Sequence, residues 1–380
     1  MKIIIGADFV PTESNTPDFE EGNAEKLFGN EICDILDKAD YRIFNLETPL
    51  TDSLFPIKKC GPNLSAPTKC IRGYLAAKAD LLTLANNHIM DQGEEGLYST
   101  IKKLEEQGIS YVGAGKNIHD AEKPFILDIN GAKVGIYACA EHEFSIADET
   151  HPGANPYDPL ESFDAVTEIS RQCNFTIVLY HGGKENYRYP TPMLQKRCRK
   201  FVQKGAHLVI CQHSHCIGCE EKYMNGTIVY GQGNFLFDHS EKETWKTGLL
   251  IEITDNQINY IPICKSGCCV RKATDDEADA IMFGFYERSE KIIMPGFVEN
   301  EFSKLVDQHY YDYVENLSGI RDLFLYRVMR KMTKGRLNRF IIDNYLDLIK
   351  RLRFENYIDC EPHRECILQC IKNKNNMQRQ

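Results

Sequence analysis

The chain has 380 residues, of which 42% are hydrophobic and 26% are charged, with a formal net charge of −10 at pH 7. This length exceeds what one compact core usually holds and predicts one large domain with an appendage of about a hundred residues. Residues 1–265 carry 26 Lys and Arg against 37 Asp and Glu, whereas residues 266–380 carry 19 against 18. The acidic balance of the larger part argues against nucleic acid as its partner.

Short β-branched runs alternate with helical patterns over the first 265 residues, which predicts a layered α/β domain. The predicted strands are Lys2–Asp8, Tyr41–Leu46, Leu81–Ala85, Lys133–Cys139, Phe175–Tyr180, Leu208–Cys211, Thr227–Tyr230, Gly248–Thr254 and Gln257–Ile263. The predicted helices lie near residues 24–38, 68–78, 94–107, 161–173 and 191–204, the third ending at Gly108. Since ligands gather at the carboxyl ends of strands in open α/β sheets, polar residues that follow these strands are candidates for one shared site.

The sequence after residue 265 is predicted to be helical, so we expect a main domain of residues 1–265 and a helical C-terminal extension of residues 266–380. The predicted helices are Asp275–Glu290, Glu299–Glu315, Arg321–Met332 and Leu337–Phe354. The stretch 321–353 holds ten Lys and Arg against three Asp and Glu, interspersed with apolar residues. It is interpreted either as a contact for a peripheral membrane or protein partner, or as helices that pack together and leave their charges in water.

The sequence contains no run of eighteen apolar residues, so no transmembrane segment is predicted. The first strand-like run begins at Lys2, which leaves no room for a signal peptide, and a cytoplasmic location is expected. The fifteen cysteines are odd in number and scattered, which favours reduced thiols over a disulfide framework. Two groups lack the second pair that a zinc or iron–sulfur site needs, and are interpreted as buried or incidental thiols: Cys216 with Cys219, and Cys360, Cys366 and Cys370.

Carboxylates, imidazoles and amides follow the predicted strands of the first 265 residues, and these are the ligand types that a site for two divalent ions needs. The set consists of Asp8, Asn45, Glu47, Asn86, Asn87, His88, Asp91, His181, Glu185, His213 and His215. It contains no thiolate, which favours hydrolytic chemistry over a structural zinc. Residues i and i+2 share a face on an extended segment, so His213 and His215 are expected to reach one metal cluster. Taken singly, Asp8 and the Asn pair also suit turns.

Five separate motifs occur between residues 45 and 235 of the chain. They are Asn45-Leu46-Glu47-Thr48-Pro49-Leu50-Thr51, Ala85-Asn86-Asn87-His88 with Asp91 and Gly93, His181-Gly182-Gly183 with Glu185, Tyr187 and Pro190, His213-Ser214-His215, and Tyr230-Gly231-Gln232-Gly233-Asn234-Phe235. In order and spacing they resemble the bacterial capsule-synthesis family of the poly-γ-glutamate CapA type, itself similar to calcineurin-like metallophosphoesterases. The resemblance covers residues 1–265 and implies a four-layer α-β-β-α sandwich with a dinuclear site at one edge of its sheets.

The resemblance also implies roles for individual residues. Two divalent ions, Mn, Fe or Zn, would be held by a set of six side chains: Asp8, Glu47, Asn87, His181, His213 and His215, with Glu47 as the bridge. His88 resembles the residue that protonates or stabilises the leaving group, and Asp91 would set its tautomer. Further candidate site residues are Asn45, Asn86, Glu185, Tyr187 and Asn234. Val10 stands where related phosphoesterases have a histidine, so a single bound ion stays an alternative.

These features predict a metal-dependent hydrolase of the CapA type. The expected reaction is phosphoester hydrolysis by a metal-bound hydroxide, with an anionic small molecule or polymer as substrate and a link to capsule or anionic polymer metabolism. One alternative is hydrolysis of a γ-glutamyl amide, because the same chemistry attacks a carbonyl. Another is a non-catalytic subunit that binds a polymer or positions a synthase partner.

Overall fold

The computed structural model describes residues 1–377 and contains two compact units, one from Met1 to Glu301 and one that begins at Phe302. The strands are β1 Lys2–Val10, β2 Tyr41–Asn45, β3 Leu81–Thr83, β4 Ser110–Val112, β5 Ala114–Gly115, β6 Phe125–Ile129, β7 Ala132–Ala140, β8 Gly153–Ala154, β9 Phe175–His181, β10 Leu208–Gln212, β11 Glu220–Tyr223, β12 Gly226–Tyr230, β13 Asn234–Phe237, β14 Thr247–Thr254, β15 Gln257–Ser266 and β16 Cys269–Lys272.

The α-helices are α1 Thr16–Glu21, α2 Ala24–Asp37, α3 Ile71–Ala76, α4 Gly93–Gln107, α5 Ile118–Ala121, α6 Ser162–Gln172, α7 Pro192–Gln203, α8 Asp275–Ile292, α9 Phe297–Leu317, α10 Phe324–Thr333, α11 Arg336–Tyr345, α12 Leu348–Asp359 and α13 Glu361–Met377. Short 3-10 helices span Thr68–Cys70, Glu243–Trp245 and Ile320–Asp322. The domain boundary after residue 265 stays a prediction. By compactness, β16 and α8 fall within the first unit.

Two large sheets form the first unit. The eight-stranded sheet runs in the order β16-β15-β14-β1-β2-β3-β4, with β13 also paired to β1, and the six-stranded sheet runs in the order β11-β12-β10-β9-β7-β6. Strands β1 to β4 are parallel to one another, as are β7, β9, β10 and β12. Each sheet therefore has a group of carboxyl strand ends at one edge, where loops carry polar residues.

The layers follow from the alternation of side chains along the strands. Ile136 and Ile177 of the six-stranded sheet lie in the same core cluster as Ile3 of the eight-stranded sheet, so the two sheets pack face to face. The neighbouring residues Tyr137 and Val178 lie in a second cluster with α6 and α7. Helices α2, α3 and α4 bury apolar side chains in the first cluster. The four-layer α-β-β-α sandwich is confirmed.

Most predicted elements of the first unit are confirmed to within a few residues, and α4 ends at Gly108, whose φ of 70° gives the left-handed cap. The single helix predicted over Leu337–Phe354 is wrong. The chain instead forms α11 and α12, and Asp347 accepts a hydrogen bond from the backbone N–H of Lys350 to begin the second helix. Helix α13 and several short strands, among them β4, β11, β13 and β16, were not predicted.

The second unit is helical, which confirms the expected C-terminal helices. It contains an apolar cavity of about 410 Å³ lined by residues that include Tyr313, Ile342 and Phe354. Large apolar side chains also face solvent, for example Phe324 and Met332, which are 72% and 79% exposed. Within residues 1–377, no helix combines the length and apolar character needed to cross a membrane.

Candidate metal centre

Three neighbouring strands of the eight-stranded sheet place polar side chains side by side. In the strand register Asp8 of β1 stands opposite Asn45 of β2 and Asn234 of β13, next to a bulge after Asp8. Asn45 donates a hydrogen bond from Nδ2 to Asp8 Oδ1 over 2.7 Å. Asp8 therefore lies within β1 and not in the loop after it, because β13 extends the pairing to Val10. The predicted strand Lys2–Asp8 ended two residues too early because the pairing with β13 was not foreseen.

The loops after β2 and β3 bring Glu47 and Asn87 to the same place. Asn86 links the two loops, since its Nδ2 donates to Asn45 Oδ1 over 3.1 Å and to the Leu46 carbonyl over 2.8 Å. Its Oδ1 accepts from the His88 backbone N–H over 3.1 Å. The three groups bonded to its side chain belong to buried residues, so Asn86 holds the neighbouring loops in register and has a structural role in the site.

The six-stranded sheet supplies His181 from the carboxyl end of β9, where it is paired with Ala140 and Gln212. The ring Nε2 donates to Asn87 Oδ1 over 2.9 Å and lies 3.2 Å from Glu47 Oε1. These contacts join the two sheets, because Glu47 and Asn87 belong to the eight-stranded sheet's loops. Residues about a hundred or more positions apart thus converge, as the sequence predicted.

His213 and His215 also reach this site, but the extended segment predicted for them is wrong. Their φ angles are 82° and 50°, so the chain turns through left-handed conformations directly after β10. Such angles are uncommon for residues with a Cβ and are found where the surroundings fix the backbone. The turn packs against Gly231, where an added Cβ would lie 2.7 Å from the Cys216 carbonyl oxygen and 2.9 Å from Ser214 Oγ.

Glu47, His213 and His215 form the centre of the site. Each offers one ligand atom, and these atoms lie within 4.8 Å of one another at three buried positions. His215 Nδ1 contacts Asn234 Oδ1 at 2.9 Å and lies 3.3 Å from Asp8 Oδ2. These contacts and those of His181 connect five of the six predicted ligands, and His213 lies within 4.8 Å of Glu47 and His215.

Several buried polar atoms of this cluster have no hydrogen-bond partner among the described residues. They are Asp8 Oδ2, both carboxylate oxygens of Glu47, His213 Nδ1 and Asn234 Nδ2. A buried carboxylate without a donor is costly, whereas a divalent cation satisfies carboxylate and imidazole together. The donor set of oxygen and nitrogen atoms, without thiolates, suits a hard or borderline ion. The residues therefore fit the metal that the family resemblance implies.

The electrostatics show the same need for positive charge. Burial, followed by the charge of Asp8, raises the pKa of Glu47 to about 8. Burial lowers the pKa of His181 to about 4 and holds that of His213 well below its usual value, which favours the neutral imidazole that binds metals. Burial also lowers the pKa of His215, but its contact with Asp8 and the charge of Glu47 outweigh burial and raise that pKa to about 9. His215⁺ in turn keeps the pKa of Asp8 low against burial.

His88 lies beside this cluster, and Asp91 holds its ring on the side away from the cluster. Its Nδ1 is 2.6 Å from Asp91 Oδ2, which confirms the contact predicted between these two residues. Asp91 also accepts from the Leu64 backbone N–H over 2.6 Å and from Lys59 Nζ. Lys59 was not predicted, because nothing in the sequence of an irregular loop marks a lysine that turns inward.

The remaining candidates lie farther from the centre. Glu185 is exposed, though its charge acts on Glu47 and His213. The hydroxyl of Tyr187 is buried without a partner among the described residues, and burial raises its pKa to about 12. Val10 packs with Phe237 and Trp245 in a small apolar cluster. Trp245 lies against the His215 ring, with centroids 4.1 Å apart, so this position supports His215 instead of supplying a ligand.

The fifteen cysteines, all within the described residues 1–377, form no disulfide, and their redox state stays a prediction. Cys216 and Cys219 are buried, and burial raises the pKa of both thiols, as is usual for inert cysteines. Outside the site, Asp18, Cys268 and Cys269 form a further group of metal-ligand types within residues 1–377.

Residues 4–239 match the family model described as Bacterial capsule synthesis protein PGA_cap. Similar proteins include the capsule biosynthesis protein CapA of Bacillus anthracis, which is 30% identical over 228 residues, or 58% of this chain and 56% of that protein. The PGA biosynthesis protein CapA of Bacillus subtilis is 27% identical over 237 residues, or 61% of this chain and 62% of that protein. The chain thus spans less than two thirds of the length of these relatives.

Among solved structures, a novel phosphatase from Mycoplasma pneumoniae aligns over 70% of this chain and 93% of its own, with 15% identity and a TM-score of 0.43. The NAD nucleotidase of Haemophilus influenzae aligns over 76% of this chain and 56% of its own, with 12% identity and a TM-score of 0.40. Similarity at this level carries no conclusion about activity. The family match, however, covers more than half of the sequence and contains the whole cluster from Asp8 to His215. The chain belongs to the bacterial capsule synthesis protein PGA_cap family.

Proposed function

We propose that this protein is a metal-dependent hydrolase that cleaves phosphoester bonds and acts in capsule or anionic polymer metabolism. The observation that carries the proposal is the buried cluster of Glu47, His213 and His215, whose ligand atoms lie within 4.8 Å of one another. Its carboxylate oxygens have no donor among the described residues. Because such a buried cluster costs stability unless cations bind it, metal binding explains it best.

Six side chains would hold the ions: Asp8, Glu47, Asn87, His181, His213 and His215. Divalent ions held there would supply Lewis acidity for the cleavage of a phosphoester bond. Glu47 would hold them through two carboxylate oxygens that have no hydrogen-bond partner among the described residues. Asn45 and Asn234 orient two of these ligands, since Asn45 donates a hydrogen bond to Asp8 Oδ1 and Asn234 Oδ1 accepts one from His215 Nδ1. Hydrogen bonds with Asn45 and Asn234, which are outside the proposed metal-binding set, keep the metal ligands oriented.

His88 would serve the leaving group. Its Nδ1–H is committed to Asp91, so its Nε2 is the ring atom left to exchange a proton or to donate a hydrogen bond. His88 directly follows Asn87, one of the six proposed metal ligands, in the chain. A histidine in this position can stabilise a departing oxygen anion.

The substrate is proposed to be anionic, as a small molecule or as a polymer. Cations bound at this centre would attract the phosphate or carboxylate groups of a substrate, even though the domain as a whole is acidic. Family membership favours a second candidate reaction, hydrolysis of a γ-glutamyl amide, because one relative is described as a PGA biosynthesis protein.

The test compares turnover of p-nitrophenyl phosphodiesters with turnover of poly-γ-glutamate by purified protein supplied with Mn²⁺, Fe²⁺ or Zn²⁺. We expect phosphodiester turnover that falls about 10²–10⁴-fold in His88→Ala while metal content is unchanged. His151→Ala, a change at an exposed histidine, is the matched control and should retain full activity. Turnover of the polymer alone would establish the amide reaction instead. Biological activity intact in His88→Ala would establish a binding subunit.

A further inference from the structure

The segment of residues 55–64 is an irregular loop that lies almost entirely at the surface, yet it directs one lysine inward. Phe55 is 59% exposed, and most of its neighbours in the loop are exposed as well. The side chain of Lys59, in contrast, is only 2% exposed. An ammonium group is rarely buried unless it is paired, because removing it from water costs several kcal/mol. The burial of Lys59 therefore depends on the residue with which its ammonium group pairs.

That partner is Asp91, whose side chain is fully buried. One carboxylate oxygen accepts from Lys59 Nζ, and the other accepts from the Leu64 N–H and from His88 Nδ1, each over 2.6 Å. The Ile57 N–H donates to the Asp91 carbonyl over 3.0 Å. Asp91 thus fastens the 55–64 segment at three points and holds His88 with the same carboxylate.

The chemistry of the groups defines the tautomer of His88. Asp91 accepts three hydrogen bonds and is an acceptor only when ionised, so Nδ1 of His88 must carry the proton. Lys59 Nζ lies 3.3 Å from that Nδ1. An ammonium has only donors, so these two nitrogens share one carboxylate and are not hydrogen-bonded to each other. Without Lys59, one Asp91 oxygen would lose its side-chain donor, and the carboxylate would be free to rotate.

Resting on the proposed function, we propose that Lys59 is a positioning residue for the reaction: by clamping Asp91 it fixes the orientation and tautomer of His88 at the leaving group. It acts through Asp91 and has no contact with the metal ligands that the structure records. The 55–64 segment accordingly supports His88 from outside the site, and Lys59 is one of the three points at which Asp91 holds the segment.

The kinetic test uses Lys59→Met, which keeps the alkyl chain and removes the charge. We expect kcat for a phosphodiester to fall about 10–100-fold, with KM and metal content nearly unchanged. Lys59→Arg should recover part of the loss. Lys58→Met, at the exposed neighbouring lysine, is the matched control. In a His88→Ala background, Lys59→Met should have no further effect, because the residue on which it acts is gone.

Two kinetic outcomes would overturn the proposal. A rise in KM with unchanged kcat would assign Lys59 to substrate binding. A loss of equal size in both His88 backgrounds would show that Lys59 acts independently of His88.

A second measurement tests the clamp without any turnover and separates its failure from failure of the proposed function. Side-chain ¹⁵N NMR of histidine distinguishes the two ring tautomers, and the His88→Ala spectrum assigns the His88 signals. The wild-type protein should show His88 protonated at Nδ1, and Lys59→Met should shift or broaden these signals, whereas Lys58→Met should not. A His88 protonated only at Nε2, or signals unchanged in Lys59→Met, would refute the clamp even if the protein hydrolyses phosphodiesters.

Discussion

Glu47 and His215, at the centre of the site, both have a pKa that is raised above its ordinary value. Both are buried, and the pKa of Glu47 is raised to about 8 by burial and by Asp8. The pKa of His215 is raised to about 9, against burial, by Asp8 and Glu47. Without metal, the folded state therefore holds protons that the unfolded chain would release. A cation replaces those protons, so stability of the metal-free protein becomes a measure of the site.

The metal-free protein should lose stability as the pH rises from about 6.5 to 9. A group whose pKa is raised on folding stabilises the protein below its unfolded pKa and loses that contribution as the pH passes its folded pKa. This holds for Glu47 and His215, with ordinary values of 4.5 and 6.5. The lowered pKa of His181 acts in the opposite direction, but only below pH 6.5. The expected loss is on the order of a few kcal/mol.

Thermal denaturation of EDTA-treated protein over this pH range measures the effect. The metal-loaded protein should show a much flatter profile. Metal-free Glu47→Gln should lose the Glu47 part and retain a reduced His215 part, because Asp8 still raises the pKa of His215 but the charge of Glu47 no longer does. Stability of the metal-free protein that increases between pH 6.5 and 9 would be incompatible with the proposed charge balance.

The types of the site residues and the contact between His88 and Asp91 were predictable, but the contact between Lys59 and Asp91 was not. Asp8, Glu47, His181, His213 and His215 are marked in the sequence by their chemistry and by the strands before them. Lys59 lies in an irregular loop 32 positions from Asp91, and no periodic pattern relates the two. Contacts of this kind arise from tertiary packing, which local sequence does not encode.

At the level of elements, the turn after β10 depends on a glycine in another loop. Gly231 has a φ of 113°, and a Cβ there would overlap the Cys216 carbonyl oxygen at 2.7 Å. Gly231→Ala should therefore lower the free energy of unfolding by about 2–4 kcal/mol and reduce metal affinity through His213 and His215. Chemical denaturation and metal titration measure both effects.

Gly267→Ala is the matched control for this prediction. Gly267 also has a positive φ, 62°, but nothing lies within 4 Å of its added Cβ. It should cost only about 1 kcal/mol and leave metal affinity unchanged. Equal effects of the two substitutions would mean that the turn does not depend on close packing at Gly231.

The elements that sequence patterns predicted best are those with long apolar runs or strong helical periodicity, such as β1, β9 and α4. Short strands such as β13 and β16 were missed because they are defined by pairing with distant partners, β1 and β15. The pattern over Leu337–Phe354 is helical throughout, and only the cap at Asp347 divides it. His213 and His215 reach the predicted site, but not through the extended segment that was predicted for them. Their backbone angles are left-handed, and in non-glycine residues such angles are set by packing, which a local sequence pattern does not indicate.

The basic stretch of residues 321–353 still has two interpretations: a contact for an anionic membrane or protein partner, or helices that pack together and leave their charges in water. Helix α10 exposes Arg327 and Lys331 together with Phe324 and Leu325, the two apolar residues being 72% and 73% exposed. If a membrane is the partner, the protein should cosediment with phosphatidylserine vesicles and not with phosphatidylcholine vesicles, in a salt-dependent way.

The matched comparison places the same charge changes on different units. Arg327→Glu with Lys331→Glu should weaken vesicle binding about tenfold or more, since each basic residue contributes about 1 kcal/mol near an anionic surface. Lys102→Glu with Lys116→Glu, at positions 78% and 70% exposed on the first unit, should have little effect. Protein that stays in solution with both vesicle types would support the other interpretation, helices packed together with solvated charges.

At the scale of the whole molecule, the candidate site forms because carboxyl ends of strands from both sheets lie at the same edge of the first unit. Asp8, Asn45 and Asn234 come from adjacent strands of one sheet, and His181 comes from the other. Contacts of 2.9–3.3 Å then connect side chains from β1, β9 and the loops after β2, β3 and β10. The fold class and this convergence were predictable from alternation and family resemblance, whereas the outer support of His88 required the structure.

Metal content is the most direct test of the site. Protein purified without chelator, or reconstituted with Mn²⁺ or Zn²⁺ after EDTA, should contain two equivalents of divalent metal by elemental analysis. Glu47→Ala and His213→Ala should each lose most of it, whereas Glu149→Ala and His151→Ala, at exposed positions, should retain it. A wild-type protein that binds no divalent metal, or Glu47→Ala and His213→Ala variants with unchanged metal content, would show that this cluster is not a metal centre.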